Sequence, residues 1–175
     1  GLPPDQRAAA SFAAARSLAE AGAFERAQPH AKEAARLEPA NNEYLALLAQ
    51  TLARGGQGAE ALATINPVLA RAPTDTNALI ARAETHMALH DVAKAFVDLE
   101  ALAKSAAKDV RVLLLEGKFD VALGKLNDAH KILERAAALA PNDPRPEVEL
   151  GRLELRRGDV DTAFRRATRA ITLAP

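Results

Sequence analysis

Cysteine and tryptophan are absent from this chain, and one tyrosine, one methionine and five phenylalanines stand among its 175 residues. Without a thiol there is no disulfide framework and no thiolate metal site, so cytoplasm and periplasm both stay open as compartments. Net charge is missing too: 23 basic residues face 23 acidic ones, which removes any whole-chain electrostatic case for nucleic acid or an anionic membrane. No apolar run approaches the roughly 18–20 residues that cross a bilayer, because Arg, Lys, Glu or Asp interrupts each one. Direct membrane insertion is therefore not expected. The opening segment from Gly1 to Arg7 has neither an initiator Met nor a basic start followed by an apolar stretch, and it reads as the cut edge of a longer chain.

Alanine is abundant, and it recurs in register with rarer residues. Pro39, Pro73, Pro141 and Pro175 are separated by 34 residues or a multiple of it, with Ala107 in the one slot that lacks proline. Gly22, Gly56, Gly124 and Gly158 keep the same step, with His90 in their third slot. So do Ala27, Ala61, Ala95, Ala129 and Ala163, and a further column of Ala34, Val68, Leu102, Ala136 and Ala170. Self-similarity at this period marks a stack of supersecondary units, each burying its apolar face on a neighbour. With the proline as position 32, the units run 8–41, 42–75, 76–109, 110–143 and 144–175, after an N-terminal flank of residues 1–7.

Each unit reads as two helices. Leu45, Leu48, Ala49 and Leu52 follow the i, i+3, i+4, i+7 spacing of an amphipathic helix over Glu43 to Arg54, which Gly55 and Gly56 end. A second helix from Ala59 to Ala72 stops before Pro73, since proline disfavours helix in the residue before it. Asn41 and Asn42, Thr74 and Asp75, Asp109, and Asn142 and Asp143 stand where a side-chain oxygen caps the next helix, and Pro144 suits a first helical position. Pro67 lies mid-helix and is expected to bend it, which makes the second unit the weak joint of the array. The vacant slot at Ala107 suggests a more continuous helical connection between the third and fourth units.

A small residue at position 8 (Ala15, Ala49, Ala83, Gly117, Gly151), alanine at 20, mostly small residues at 27 and proline at 32 together resemble the tetratricopeptide repeat, from residue 8 to the end of the chain. The resemblance implies an all-α, right-handed solenoid of five antiparallel helix pairs. The chain departs from that family at position 4, where a large aromatic gives way to Ser11, Leu45, Leu79, Leu113 and Glu147, and at position 11, which holds Leu18, Leu52, His86, Asp120 and Glu154. Its Ala- and Arg-rich usage is similar to that of bacterial proteins.

No constellation for catalysis emerges. His86 and His90 share a helical face, but Met87, Ala88 and Leu89 between them lack the Glu of a zinc-hydrolase helix, and no third ligand is at hand. Arg82, Glu116, Asp120 and Glu154 occupy columns that are usually apolar, where charges have to pair. They read as a structural ladder, with Arg82 meeting Glu116, in preference to an acid–base set. Gly55-Gly56-Gln57-Gly58 lacks the Lys-Ser/Thr of a phosphate loop. Neither enzymatic activity nor a cofactor is expected.

Function then resides in a surface. In the family that the chain resembles, first helices line a concave groove through positions 2, 5, 9, 12 and 13, and positions 5, 9 and 12 share one helical face by periodicity alone. The groove so implied comprises Phe12, Arg16, Gln50, Ile80, Glu84, Met87, Arg111, Leu114, Lys118, Val121, Arg145, Val148, Arg152, Leu155 and Arg156. Its floor grows bulkier toward the C-terminus, and its last two repeats are flanked by cations. Such a groove suits an amphipathic or extended protein segment with hydrophobic anchors and acidic neighbours. The column at position 6 (Ala13, Leu47, Ala81, Leu115, Glu149) lacks the asparagines of family members that clamp a C-terminal carboxylate or hold a substrate backbone. Phe164 and Ile171 lie on the side that a sixth repeat would cover, so further repeats or end-to-end self-association are expected there. The sequence thus reads as a protein-interaction module. The alternatives are a structural spacer in a bacterial envelope system (polysaccharide export, pilus or cytochrome maturation) and a substrate-selecting arm of a larger enzyme.

Overall fold

The computed structural model describes residues 3–174, so the expectations placed on Gly1 and on Pro175 lie outside the described residues. Ten α-helices follow one another, with no strand among the described residues: α1 Pro4–Glu20, α2 Phe24–Leu37, α3 Asn42–Arg54, α4 Gly58–Arg71, α5 Thr76–Ala88, α6 Val92–Ser105, α7 Val110–Ala122, α8 Leu126–Leu139, α9 Pro144–Arg157 and α10 Val160–Leu173. The chain divides into two compact units, one ending at Ser105 and holding α1–α6, the other starting at Ala106 and holding α7–α10. Within each unit consecutive helices pack as hairpins, α1 on α2, α3 on α4, α5 on α6, α7 on α8 and α9 on α10. In the first unit α3 also packs on α2, and α5 on α3 and α4; in the second, α9 packs on both α7 and α8.

The glycine column makes the hairpins. Gly22, Gly56, Gly124 and Gly158 all take φ between 75° and 82°, the left-handed region that a Cβ disfavours. The residue after each closes the helix end by donating its amide five residues back, as Gln57 does to the Leu52 carbonyl at 2.9 Å. His90 adopts φ 59° in the same slot, and Asp91 donates to the His86 carbonyl at 2.8 Å. That turn therefore forms without glycine, at the cost of a strained residue.

Caps at the first helices of the pairs select among the candidates. Asn41 accepts from the Glu43 and Tyr44 amides at 3.1 and 3.3 Å, and Asp75 from Ala78 at 2.9 Å. Asp109 and Asp143 accept from Arg111 and Arg145, each at 2.9 Å. Asp159 caps α10 in the same way through the Thr162 amide at 2.9 Å.

One expectation is corrected. Residues 106–109 are not continuous helix: Asp109 donates its amide to the Ala106 carbonyl at 2.9 Å, the same turn that Asp75 closes on Ala72 at 3.1 Å beside Pro73. Proline presets that turn but is not needed for it, because alanine reaches the same φ and the aspartate cap completes the connection. Pro67, expected to bend α4, lies inside a helix that runs unbroken from Gly58 to Arg71. Pro67 and Ala63, whose carbonyl loses its usual helical donor, are both exposed residues, and the division between compact units falls after Ser105.

Small residues set the helix spacing. Ala15, Ala49, Ala83, Ala27, Ala61, Ala95 and Ala129 are fully buried, so backbones approach closely at these columns. In the first unit Phe12 stacks on Tyr44 with ring centroids 4.7 Å apart, a pairing worth ~0.5–1.5 kcal/mol beyond its buried area. In the second unit Leu150 and Leu153 of α9 seat among Leu113, Leu114, Ala129, Leu133 and Ala136 of α7 and α8.

Candidate binding surfaces

The surface residues expected in the first unit are largely occupied with packing. Phe12 is half-buried in its stack, with the Arg16 guanidinium 5.5 Å above its ring. Ile80 is buried. Glu84 meets Arg54 at 3.0 Å, and Gln50 and Met87 are part-exposed.

The second unit sorts its residues differently. Leu114 is buried in the cluster that holds Leu150 and Leu153, and Val121 packs at its edge. Val148 and Leu155, at the corresponding places on α9, are 38% and 58% exposed. They line a groove of about 460 Å³ between α9 and α10, whose other apolar walls are Val160, Phe164 and Ile171 and whose floor is Gly151, Ala163, Ala167 and Ala170. Phe164 and Ile171, at 73% and 74%, are the most exposed large apolar side chains among the described residues. The structure thus joins Val148, Arg152 and Leu155, expected for a concave groove, to Phe164 and Ile171, expected for an end contact. The floor residues were missed, although the signal existed: stepping 34 residues from the buried residues of α7 and α8 reaches them.

The cations expected beside this stripe have local partners. Arg111 and Arg145 fold back on their own cap carboxylates, Asp109 and Asp143, each at 2.6 Å, and both carboxyls are held below the usual range by those guanidinium hydrogen bonds. Lys118 and Arg152 share Glu149 at 3.3 and 3.0 Å. Arg156 donates to the Val121 carbonyl at 3.3 Å.

Buried charges are paired, but not as the column reading supposed. Arg82 lies on Asp98 of its own hairpin at 2.6 Å, whereas Glu116 was the expected partner. Glu147 is covered by Arg166 and Arg169, both at 3.1 Å, and Arg166 also reaches Glu134. Glu154 meets Arg157 at 3.2 Å and lies 3.7 Å from His130. Glu116 and Asp120, one turn apart on α7, are both raised by burial. Burial likewise lowers His86, whose buried Nδ1 has no hydrogen-bond partner. Among the described residues no group of three or more His, Cys, Asp or Glu is placed to hold a metal, and no helix is long and apolar enough to cross a membrane.

Comparison with known proteins bears on the architecture. Residues 18–85 match the tetratricopeptide repeat family. Among solved structures, the thermophilic tetratricopeptide-repeat protein TTC0263 of Thermus thermophilus superposes with a TM-score of 0.83 at 22% identity, over 96% of this chain and 92% of its own. MamA of Desulfovibrio magneticus, from its residue 41 onward, gives 0.60 at 24% identity, over 95% of this chain and 94% of that one. A monomeric mutant of IFIT1 with Gppp-AAAA gives 0.77 at 20% identity, over 94% of this chain and 42% of its own. At these identities the likeness is one of fold. No curated protein matches the chain significantly.

Proposed function

We propose that this chain, a tetratricopeptide-repeat protein by its match over residues 18–85 and by its all-helical fold, is a protein-interaction module that takes a partner segment on the exposed face of its second unit. Tetratricopeptide-repeat proteins are commonly interaction modules and generally non-catalytic, which supports the class but names no partner. The observation that carries the reading is the groove between α9 and α10. It gathers Val148, Leu155, Val160, Phe164 and Ile171, five of the seven exposed large apolar side chains among the described residues of that unit. Contiguous exposed apolar surface of this kind on a folded protein marks an interaction site more often than scattered single residues do.

Leu155→Glu and Lys118→Glu test it, because both side chains reach the surface and neither substitution empties the core, whereas Leu114→Glu would bury a charge. Proteins cross-linked to the wild-type chain in its own cells, identified and then shown to bind in purified form, should be lost or weakened with Leu155→Glu. Retention of the same purified partners by both variants with unchanged affinity would sink the reading and favour a structural spacer.

A further inference from the structure

The groove between α9 and α10 has a counterpart in the same unit whose occupant is visible. Eight of its eleven lining residues stand 34 positions after residues of α7 and α8 that form or flank the cluster around Leu150 and Leu153. Leu114 corresponds to Val148, Val121 to Leu155, Ala129 to Ala163, and Leu133 to Ala167. The face of α7 and α8 is filled by α9, which brings an apolar pair three residues apart, Leu150 and Leu153. It also brings a carboxylate immediately before the first of them: Glu149 meets Lys118 of α7 at 3.3 Å. At its far end Arg157 donates to the Leu126 carbonyl at 2.8 Å.

The position of Lys118 is held on the second face by Arg152, whose side chain is 68% exposed beyond its contact with Glu149. The floor differs. Over Gly117 the Leu133 side chain comes within 2.6 Å of where a Cβ would stand, whereas over Gly151 the nearest groups are the Ala163 carbonyl and the Arg166 Cβ, both at 3.5 Å. Ala167 in place of Leu133 leaves a hollow, and Phe164 and Ile171 in place of His130 and Ala137 raise walls around it.

We propose that this groove docks an amphipathic helix of a partner protein. That helix carries a carboxylate against Arg152 and, in the next positions, an apolar pair whose first member is larger than leucine and fills the hollow above Gly151. The inference rests on the interaction-module reading and adds the chemistry of the ligand. A second copy of the chain is the poorer occupant. Arg145, Arg152, Arg156, Arg157, Arg165 and Arg169 are exposed along α9 and α10 against one exposed carboxylate, Asp161, while Glu147 and Glu154 are buried and already paired, so two such faces would oppose mostly cation to cation.

The probe is a helix-stapled peptide of residues 142–158 of this chain, with a fluorescent label, in three forms: unchanged, L150F, and L150F with Glu149→Lys. With the intact protein the L150F peptide should bind at least ~10-fold more tightly than the unchanged one, since a larger apolar group is buried. Phe164→Glu, at a position open to solvent, should abolish binding while leaving the circular dichroism and unfolding midpoint of the protein unchanged. Arg152→Glu should weaken the L150F peptide by about 5-fold, and the Glu149→Lys form should recover the loss. Absence of binding at millimolar peptide, equal affinity for all three forms, or indifference to Phe164→Glu would each overturn the proposal. So would sedimentation showing self-association that Phe164→Glu abolishes, which identifies a second copy as the occupant. If the peptides fail while Leu155→Glu still releases the purified cellular partner, the ligand chemistry is wrong and the interaction-module reading stands.

Discussion

Gly117 and Gly151 occupy the same column on α7 and α9, both buried, yet replacing them by alanine should move stability in opposite directions. In a helix interior the exchange is worth ~1 kcal/mol in favour of alanine, from backbone entropy alone. At Gly151 the new Cβ meets the Ala163 carbonyl and the Arg166 Cβ at 3.5 Å, ordinary contact, so Gly151→Ala should stabilise by roughly 1 kcal/mol. At Gly117 it would stand 2.6 Å from Cδ2 and 2.7 Å from Cγ of Leu133, which is 1% exposed and has to leave its rotamer to make room. Overpacking of that kind costs about 1–3 kcal/mol, which cancels or exceeds the helical gain. Gly117→Ala should therefore be neutral to ~2 kcal/mol destabilising, and the two variants should differ by about 1–3 kcal/mol. Urea unfolding followed by circular dichroism reads the difference as a shift of midpoint at constant slope. Because both sites lie in the same compact unit, the same transition reports on both. If Gly117→Ala proves as stabilising as Gly151→Ala, Leu133 is not clamped over the glycine and the contrast between the two floors fails. Leu133→Ala offers a control, since it should cost less in the Gly117→Ala background than alone.

His90→Gly should stabilise the chain by ~0.5–1 kcal/mol in the same assay, because it relieves a left-handed residue at φ 59°. Arg82→Met strands the Asp98 carboxylate, 2% exposed, and should cost about 3–5 kcal/mol, whereas Arg82→Met with Asp98→Leu should recover most of that loss, as read by thermal unfolding. His86 lies below its ordinary value of 6.5 because burial disfavours its charged form, outweighing the attraction of Asp98 and Asp91, while Lys94 and Arg82 add to the lowering. The unfolded chain then takes up the proton first, so this contribution to stability is intact above pH 6.5 and is lost as pH falls through the depressed value. Denaturant midpoints measured from pH 7.5 to 5 should fall less for His86→Leu than for the wild type, and parallel curves would refute that assignment.

Much of the fold was legible because its determinants are local and periodic. A left-handed turn needs glycine, a helix start needs a short polar side chain, and close backbones need alanine, so each leaves a mark every 34 residues. The exceptions show the limit. Ala107 breaks the proline column without breaking the turn, since the bond from Asp109 to Ala106 does not need a ring. Pro67 stands inside α4 without interrupting it, on an exposed side of the helix. The first depends on a turn bond and the second on which side of a helix is exposed, and period alone states neither. The partner of Arg82 was also beyond the columns: a long side chain reached back to the following helix of its own hairpin, as Asp98 at 2.6 Å demonstrates.

The stripe at positions 5 and 12 carries the sharper lesson about sites. Leu114 and Val148 are the same kind of residue one period apart, and so are Val121 and Leu155, yet the first of each pair is drawn into the cluster around Leu150 while the second stands open. Chemistry in a column therefore does not separate a binding floor from a packing floor; occupancy by the next helix does. What distinguishes the two faces in sequence is their divergence, Leu133 against Ala167, His130 against Phe164, and Ala137 against Ile171. Loss of the leucine that closes over Gly117 does not by itself mark a binding face, because Ala31, in the same column, seats Leu47 of α3; what sets the second face apart is that Ala167 lies between the exposed Phe164 and Ile171. Removing that bulk from the centre and adding it at the edges makes a hollow with walls, which gains most from a ligand whose largest side chain lies at its middle.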